Sequence, residues 1–358
     1  MPRAVILTAL PVEYLAVRSH LSNLQEEMHS QGTIYERGRF VANGQEWEVS
    51  IVETGAGNAG AAVESERAIA YFKPDILFFV GIAGGIKDVA IGDVVAATKV
   101  YCYESGKVGE HFFMRPAVGQ SDYALVQRAK SEARNEEWLQ RITSNLTTQP
   151  RVFVAPIAAG EKVVASKESE LFKFLRESYN DAVAVEMEGF GFMSAAFAYP
   201  EIKAIIVRGI SDLINSKNDC SLETEKIRQE RASHHAGAFT FELLAKYESQ
   251  FAAQIECLSQ NGEPQRIKLI AGKKLIAGRG NDMDIIFLHS CVSKSHAEFS
   301  FIDEELWIRD NGSKNGTFVN GTNVKEACLK CGDEVRLGTK GPLLKVIDLL
   351  ASTRTDSE

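Results

Sequence analysis

The chain has 358 residues, of which 45% are apolar and 25% are charged, and its formal charge at pH 7 is −8. This length and composition predict two soluble globular domains with ample cores. The acidic balance excludes proteins that coat nucleic acid or anionic membranes by bulk charge, and no apolar run approaches the roughly 20 residues that span a bilayer.

The N-terminal run and the cysteines indicate a cytoplasmic protein with reduced thiols. The apolar run after Met1 is too short for a signal peptide and is typical of a first strand. The six cysteines are scattered, and only Cys328 and Cys331 have a metal-like spacing, with neither a second pair nor a nearby histidine. We therefore expect no metal, no cofactor and a cytoplasmic location.

Residues 1–247 are predicted to form an α/β domain with a mixed, largely parallel sheet flanked by helices. Continuous apolar runs at 4–10 and 76–80 are typical of strands buried on both faces. The predicted helices, defined by helical apolar spacing, are 12–24, 121–145, 168–179 and 222–247. Alternation of strands and helices to about residue 247 indicates one α/β domain with a largely parallel sheet.

Polar residues follow several of these strands. Glu13 follows the first strand and Gly81-Ile-Ala-Gly-Gly85 follows a later one. Glu186 and Glu188 end the stretch 183–189, and Ser211 and Asp212 end the run that contains Arg208. Parallel sheets bind ligands at the carboxyl ends of their strands, so these acids predict acid–base chemistry there. Taken alone, Glu13 would be explained as a carboxylate that stabilises a helix start.

The pattern changes in the last third of the chain. Residues 248–265 are predicted to be a linker, 266–349 a small all-β sandwich and 350–358 a frayed tail. The predicted short strands, separated by Gly, Asn and Asp turns, are 268–271, 297–301, 306–309, 317–319 and 334–337.

Four blocks in the first domain together resemble the nucleoside phosphorylase/nucleosidase superfamily, and most closely its 5′-methylthioadenosine/S-adenosylhomocysteine nucleosidases. They are Glu13, 81–85, Val185-Glu-Met-Glu188 and Arg208-Gly-Ile-Ser-Asp212. The resemblance covers roughly residues 3–247. It implies cleavage of a purine N-glycosidic bond through an oxocarbenium-like transition state.

The resemblance also implies residue roles. Asp212, held by Ser211, would protonate the leaving purine, and Glu13 would activate the water. Glu188 would accept the ribose hydroxyls, and Met187 would pack on the sugar. The base would bind largely through the loop 161–164. The other substrate contacts implied are Gly81, Ala83, Gly84, Val163 and Val164. Glu186 is either a site residue or a buried hydrogen-bonded partner, whereas Arg208 is expected to be a structural ion-pair partner.

Two questions about the reaction stay open at this point. The turn Leu10-Pro-Val-Glu13 lacks the glycine and arginine with which phosphorylases of the superfamily bind phosphate, so hydrolysis is favoured over phosphorolysis. A catalytically silent, nucleoside-sensing scaffold is the other alternative. Val163 also replaces the aromatic residue that usually stacks on the base, which leaves the preference for adenine less defined.

The 5′ group of the substrate would be met by the region 104–116, which a second subunit supplies in dimeric relatives. A homodimer is therefore expected. Phe112 and Phe113 would suit a thioether, whereas Lys107, His111 and Arg115 would suit a 5′-phosphate. We assign Phe112 and Arg115 to this pocket, with a nucleoside or a nucleotide as the substrate.

The second domain resembles a forkhead-associated domain over roughly 267–347. Its landmarks are Gly278-Arg279, Ser293-Lys-Ser-His296 and the run 311–321. By resemblance Arg279 and Ser293 would bind the phosphate of a phosphothreonine, Lys294 would add charge, and Asn315 would bond the peptide backbone. The residues expected to shape the loops are His296, Thr317, Asn320 and Gly321.

The two resemblances together predict a nucleosidase that a phosphothreonine protein regulates or localises. A nucleotide-depleting defence effector is one form of this hypothesis. A sandwich that binds no phosphopeptide is its alternative.

Overall fold

The structure is a computed structural model that describes residues 2–43, 45–110, 112–142, 149–164, 166–214, 224–247, 251–258, 264–270, 274–303 and 305–349. The chain divides into two compact units, Met1–Tyr247 and Glu248–Glu358. Within the described residues, every helix is too short or too polar to cross a bilayer.

The first unit alternates strands and helices as predicted. Its strands are β1 (Arg3–Thr8), β2 (Ser22–Met28), β3 (Ile34–Ala42), β4 (Gln45–Glu53), β5 (Ile76–Gly85), β6 (Val94–Cys102), β7 (Gly106–Val108), β8 (Phe112–Met114), β9 (Ala117–Gln120), β10 (Val152–Ala159), β11 (Ala184–Glu186) and β12 (Lys203–Leu213). Its helices are α1 (Pro11–Arg18), α2 (Asn58–Phe72), α3 (Tyr123–Asn135), α4 (Glu170–Ser178), α5 (Gly189–Phe197) and α6 (Glu225–Ala245), with a 3₁₀ turn at Glu137–Arg141.

One ten-stranded sheet runs through this unit in the order β11-β10-β6-β12-β5-β1-β4-β3-β2, with β9 paired to β6. The strands β1, β4, β5 and β12 at its centre pair in parallel, as do β6, β10 and β11. The strands β2, β3 and β9 extend the sheet by antiparallel pairing. The predicted mixed α/β fold is confirmed.

The apolar run of β5 is buried on both faces of the sheet. Phe78 belongs to the core cluster on the face covered by α1 and α6, together with Phe239. Phe79 belongs to the opposite cluster and meets Phe192 of α5 edge to face at 5.5 Å. Burial on both sides explains why this strand reads as a continuous apolar run rather than an alternating one.

The predicted helix 12–24 is too long. The helix α1 ends at Arg18, and β2 begins at Ser22. Asn23 has a positive φ of 53°, which a right-handed helix excludes. Leu21 and Leu24, which carry the apparent helical spacing, instead pack over Gly38 in β3.

The predicted helix 121–145 is also interrupted. The helix α3 ends at Asn135, because Glu136 takes a left-handed φ of 56° before the 3₁₀ turn begins. Residues 143–148 lie outside the described part of the chain.

The second unit consists of strands in two sheets. The first sheet has the order β14-β13-β23-β22-β19-β20, and the second has the order β16-β15-β17-β18-β21. The strands are β13 (Phe251–Leu258), β14 (Pro264–Ile270), β15 (Lys274–Gly278), β16 (Ile285–Ile286), β17 (Ala297–Ile302), β18 (Glu305–Asp310), β19 (Thr317–Val319), β20 (Thr322–Val324), β21 (Glu326–Leu329), β22 (Glu334–Leu337) and β23 (Leu343–Leu349). Both sheets contribute to one core cluster that includes Phe299, Ile308, Val335 and Leu344. The all-β prediction is confirmed.

The predicted linker at 248–265 is wrong at Phe251–Leu258. Phe251–Leu258 forms β13, which pairs with both β14 and β23 inside the sandwich. Ala253, Ile255 and Cys257 alternate into the core. This period of two was hidden in the sequence by the decaying helical pattern that precedes it.

Candidate functional site

A cavity of about 300 Å³ lies at the carboxyl ends of β1, β5, β11 and β12. The predicted residues among its lining are Glu13, Ala83, Gly84, Val163, Val164, Glu186, Met187, Glu188, Ser211 and Asp212. The strands of a largely parallel sheet thus deliver four separate sequence blocks to one edge.

Glu13 lies in the first turn of α1 and is almost fully buried. Its carboxylate accepts hydrogen bonds from the backbone N–H groups of Ala9 at 2.7 Å, Leu10 at 2.9 Å and Ile82 at 2.8 Å. Burial raises the pKa of Glu13 to about 7, although Arg208 and these N–H donors act in the opposite direction. Near neutral pH this carboxyl group is therefore able to accept a proton as well as release one.

Arg208 is the buried cation of the site. Its Nη2 pairs with Glu186 and lies 3.1 Å from Glu188 Oε2. The guanidinium also stacks 4.7 Å from the ring centroid of Phe79. One arginine therefore balances two buried carboxylates.

Glu186 and Glu188 differ in what they bind. Glu186 accepts the N–H of Glu188 at 3.1 Å and that of Gly189 at 2.8 Å, so its carboxylate anchors the start of α5. Burial raises the pKa of Glu186, which Arg208 opposes and Glu188 reinforces. Glu188 accepts the N–H of Gly57 at 3.0 Å. With fewer protein donors on its oxygens, Glu188 is the better acceptor for a ligand hydroxyl.

Ser211 and Asp212 lie at an irregularity near the end of β12. The pairing register of β12 with β5 shifts between Ile210 and Asp212, which matches a β-bulge. Bulges re-aim side chains next to functional sites, and here both residues line the cavity. The hydroxyl of Ser211 donates to Asp212 Oδ2 at 3.0 Å and so orients the carboxyl group.

Gly81 does not line the cavity, in contrast to the prediction that it binds substrate. A Cβ at Gly81 would overlap the Arg208 guanidinium and lie 2.5 Å from Glu13 Oε1. Its missing side chain therefore makes room for these two residues behind the cavity, and it acts on the site only through them.

The loop Gly160–Val164 covers another side of the cavity. Val164 is buried, whereas 64% of Val163 is exposed. Lys162 also lines the cavity and pairs with Glu104. Gly160 packs against the ring of Tyr103, which leaves no room for a side chain at that position.

Several lining residues had no individual role predicted from the sequence: Ala9, Leu10, Ala56, Ile82, Lys162, Val185, Glu225 and Gln229. Ala9 and Leu10 flank Glu13 at the tip of β1, so the strand-end argument already covered their position. Glu225 and Gln229 are four residues apart and share one face of α6. Two polar residues at that spacing, before the buried stripe of this helix, are the sequence feature that could have predicted their place in the cavity lining.

The residues assigned to the 5′ pocket are placed elsewhere in this chain. Phe112 and Arg115 are exposed and are absent from the described cavity lining. Phe112 lies in the β7–β8 hairpin and meets Phe174 edge to face at 5.5 Å. His111 lies outside the described residues.

In the second unit, the predicted phosphate-binding residues lie on three loops that are bonded to one another. Arg279 Nε donates to the Val292 carbonyl at 3.3 Å, and Ser293 Oγ accepts the Lys314 N–H at 3.0 Å. The Lys294 carbonyl accepts the Gly280 N–H at 3.0 Å, which ties the first two loops together. Arg279 and Lys294 are exposed.

Asn315, expected to bond a peptide backbone, donates to the Cys291 carbonyl at 2.9 Å. In this structure it therefore holds two loops together. Buried His296 does the same, because Nδ1 accepts the Ser293 N–H at 3.0 Å and Nε2 lies 3.1 Å from the Gly316 carbonyl.

The other residues expected to shape these loops lie beside them. Thr317 donates to Asp310 Oδ2 at 2.6 Å. Asn320 and Gly321 both have a positive φ, as a tight turn between β19 and β20 requires.

Comparison with known proteins gives the family. The profile of the phosphorylase superfamily matches residues 3–245, and that of the FHA domain matches residues 275–338. A 5′-methylthioadenosine/S-adenosylhomocysteine nucleosidase of Bacillus licheniformis is 26% identical over 49% of this chain and 73% of its own length. The ATP nucleosidase Cap17 of Escherichia coli is 27% identical over 61% of this chain, which spans only 47% of that relative.

Solved structures agree on the fold. A 5′-methylthioadenosine/S-adenosylhomocysteine nucleosidase of Neisseria meningitidis, in complex with methylthio-immucillin-A, superposes with a TM-score of 0.56 at 23% identity. The match covers 69% of this chain and all of that one. The chain therefore belongs to the phosphorylase superfamily, within which the relatives named above are nucleosidases, and it carries an FHA domain after the α/β unit.

Proposed function

We propose that this protein hydrolyses the N-glycosidic bond of a purine nucleoside or nucleotide. The observation that carries the proposal is the convergence of Glu13, Glu188 and Asp212 on one cavity. A base, a hydroxyl acceptor and an acid in one site match the three requirements of glycosidic hydrolysis. The relatives, which include nucleosidases for thioether nucleosides and for ATP, support the same reaction class.

In this proposal Asp212 donates its proton to the imidazole ring of the purine while the C1′–N9 bond breaks. Ser211 orients the carboxyl group through its hydrogen bond. Glu188 binds the ribose hydroxyls and stabilises the positive charge that develops on the sugar. Glu13 removes a proton from the water that attacks C1′, which its pKa of about 7 suits at neutral pH.

The charges that line the cavity affect whether a substrate with a 5′-phosphate can bind. Among the described residues that line it, Lys162 is the only basic one, and it is paired with Glu104. The carboxylates of the lining would repel the phosphates of a nucleotide. A nucleotide substrate would therefore need basic groups from a second copy, and Lys107 and Arg115 on the exposed hairpin are the candidates.

We propose a homodimer on the basis of an apolar face near α5. A groove of about 490 Å³ is lined by residues of β9 and α5, and 90% of the Phe197 side chain is exposed beside it. An apolar patch of this kind marks an interaction surface. Sedimentation of the wild type and of Phe197→Asp tests this proposal. A monomeric wild type, with the same sedimentation in Phe197→Asp, would show that the dimer proposal is wrong.

We also propose a cytoplasmic location, on the basis of the cysteine usage described above.

The FHA domain is proposed to bind a phosphothreonine protein and so regulate or localise the nucleosidase. Arg279 and Lys294 are exposed and make no ion pair within the described residues, and the Arg279 N–H donates to the Ser293 carbonyl at 2.8 Å. An arginine fork and a hydroxyl are suitable ligands for a phosphate dianion.

The decisive experiment measures free base released from methylthioadenosine, S-adenosylhomocysteine, adenosine, inosine, AMP, ATP and NAD, each with and without phosphate. We expect adenine without a phosphate requirement, and a loss of about 10³-fold in Asp212→Asn. Release from thioether nucleosides alone indicates a salvage-type enzyme, and release from ATP or NAD indicates a nucleotide-depleting one. Strict dependence on phosphate would contradict hydrolysis, and no release from any substrate would contradict the proposal.

A further inference from the structure

The loop Gly160–Val164, which lines one side of the cavity, is attached to the rest of the domain through Glu161. Glu161 Oε1 accepts the backbone N–H of Asn58 at 3.2 Å and the side-chain Nδ2 of Asn58 at 2.9 Å. Asn58 is the first residue of α2, so one carboxylate of the loop occupies the N-terminus of that helix. These two hydrogen bonds to an ionised carboxylate, together with the helix dipole, fix the position of Glu161 at the start of α2.

The start of α2 also forms hydrogen bonds with Glu188, the proposed ribose acceptor, and with α5. The N–H of Gly57, immediately before Asn58, donates to Glu188 Oε1 at 3.0 Å. Asn58 Oδ1 accepts the N–H of Gly191 in α5 at 2.9 Å. Consecutive residues therefore connect the 160–164 loop, Glu188 and α5.

A second attachment holds the opposite side of the loop. Glu104 accepts the N–H of Glu161 at 2.8 Å, and it pairs with the ammonium of Lys162. Glu104 limits where the loop backbone can go, while Asn58 connects the loop to the ribose side of the cavity. Both attachments are partly exposed, so each is weaker than a buried bond of the same kind.

We propose that Asn58 is a positioning residue that holds the 160–164 loop in its base-binding geometry relative to Glu188. This inference rests on the proposed nucleosidase function and on the resemblance, which implies that the base binds at this loop. Asn58 lies outside the described cavity lining, so it acts through Glu161 rather than by touching the substrate. A loop that is ordered in advance spares the base the entropic cost of ordering it on binding.

The test is to change Asn58 and measure base binding separately from turnover. In Asn58→Ala we expect the Kd of adenine, measured by calorimetry, and the KM of the best nucleoside to rise by the same factor, about fivefold. The value of kcat should change less than twofold, because Glu13 and Asp212 are untouched. Asn58→Asp should be worse, because its carboxylate would face that of Glu161.

A double change tests the contact itself. In Asn58→Asp with Glu161→Gln, the amide and the carboxylate exchange places, so the side-chain contact and the bonds from the residue 58 and Gly191 N–H groups can re-form. Only the long bond of 3.5 Å from Asn58 Nδ2 to the Gly160 carbonyl is lost. We expect both constants to return to within twofold of the wild type. The control is Glu64→Ala, because Glu64 lies on the same helix as Asn58 but away from the cavity. This change removes the hydrogen bonds that Glu64 accepts from Thr33. It should lower stability without changing either constant.

The outcomes separate this inference from the proposed function. If the wild type binds adenine but releases none from any nucleoside, the proposed function fails, and the adenine Kd of the variants still decides the role of Asn58. Unchanged constants in Asn58→Ala, or an equal change in Glu64→Ala, would overturn the inference. So would wild-type protein that does not bind adenine, because the loop would then have no base to position.

Discussion

Arg208 lies directly against Gly81, its register partner in the neighbouring parallel strand. A Cβ at Gly81 would overlap the guanidinium, and it would lie 2.5 Å from Glu13 Oε1. The absence of one side chain thus allows the proposed base and the buried cation of the site to lie close together. The positive charge also opposes the rise in the pKa of Glu13.

Gly81→Ala is therefore expected to destabilise the fold and abolish activity. The added methyl group must displace Arg208 or Glu13, and overpacking of this kind costs about 1–3 kcal/mol. Chemical denaturation and the base-release assay measure the two effects. Gly84→Ala is the matched control for stability alone, because its Cβ would meet nothing closer than Asp212 Oδ1 at 3.4 Å, an ordinary contact. Equal stability losses in the two variants would contradict this account.

The pH profile of the reaction should report Glu13. Since burial raises its pKa to about 7, the fraction of active base falls as the pH drops below that value. We expect kcat/KM to decline below pH 7 with an apparent pKa near 7. Glu13→Gln should lose most of this activity at every pH. An acid limb near pH 4.5 in the wild type would show that Glu13 is not the titrating base.

The same carboxyl group should affect stability. Its pKa is raised from 4.5 to about 7 on folding, so the stability that it contributes is complete below about pH 4.5 and is lost as the pH rises through 7. Glu13→Gln should consequently raise Tm relative to the wild type more at pH 8 than at pH 5. Thermal melts of both proteins at the two pH values provide the measurement. A Tm difference that is the same at both pH values is the contrary result.

Removing Arg208 should be among the most damaging changes in the first domain. Arg208→Ala leaves Glu186 and Glu188 buried without their cation, and broken buried pairs of this kind typically cost about 3–5 kcal/mol. Arg18→Ala breaks the partly exposed pair with Glu36 and should cost less than about 1 kcal/mol. Denaturant unfolding of both variants gives the comparison. Similar losses would mean that Glu186 and Glu188 find other partners.

Phosphothreonine binding should depend on Arg279 and not on general positive charge. Arg279→Ala is expected to weaken binding of a phosphothreonine peptide at least tenfold, because hydrogen bonds to charged groups contribute about 1.5–3 kcal/mol. Its exposure suggests little effect on folding. Lys345→Ala, an exposed lysine on β23, is the control and should bind normally. Fluorescence anisotropy with phosphorylated and unphosphorylated peptides measures this, and equal binding of the two peptides would refute a phosphate site.

Much of the site follows from the sequence alone. The apolar run of β5, the glycines that end it and the acids at the ends of β11 and β12 are local patterns. Because the carboxyl ends of parallel strands meet at one edge of the sheet, these patterns predict that the residues lie together. The loop residues of the FHA domain are also local, because Asn and Gly at fixed offsets set turn geometry without help from distant residues. Local propensity and pattern predict the structure wherever the residues that determine a conformation are near one another in the chain.

Only the tertiary structure decided the rest. The contact of Asn58 with Glu161 joins residues about a hundred positions apart, and no local pattern encodes such a pair. Strand β13 was not predicted because its apolar face is stabilised only when the other strands of the sandwich cover it. The raised pKa of Glu13 likewise arises from burial, which depends on the packing of the whole domain around one carboxyl group.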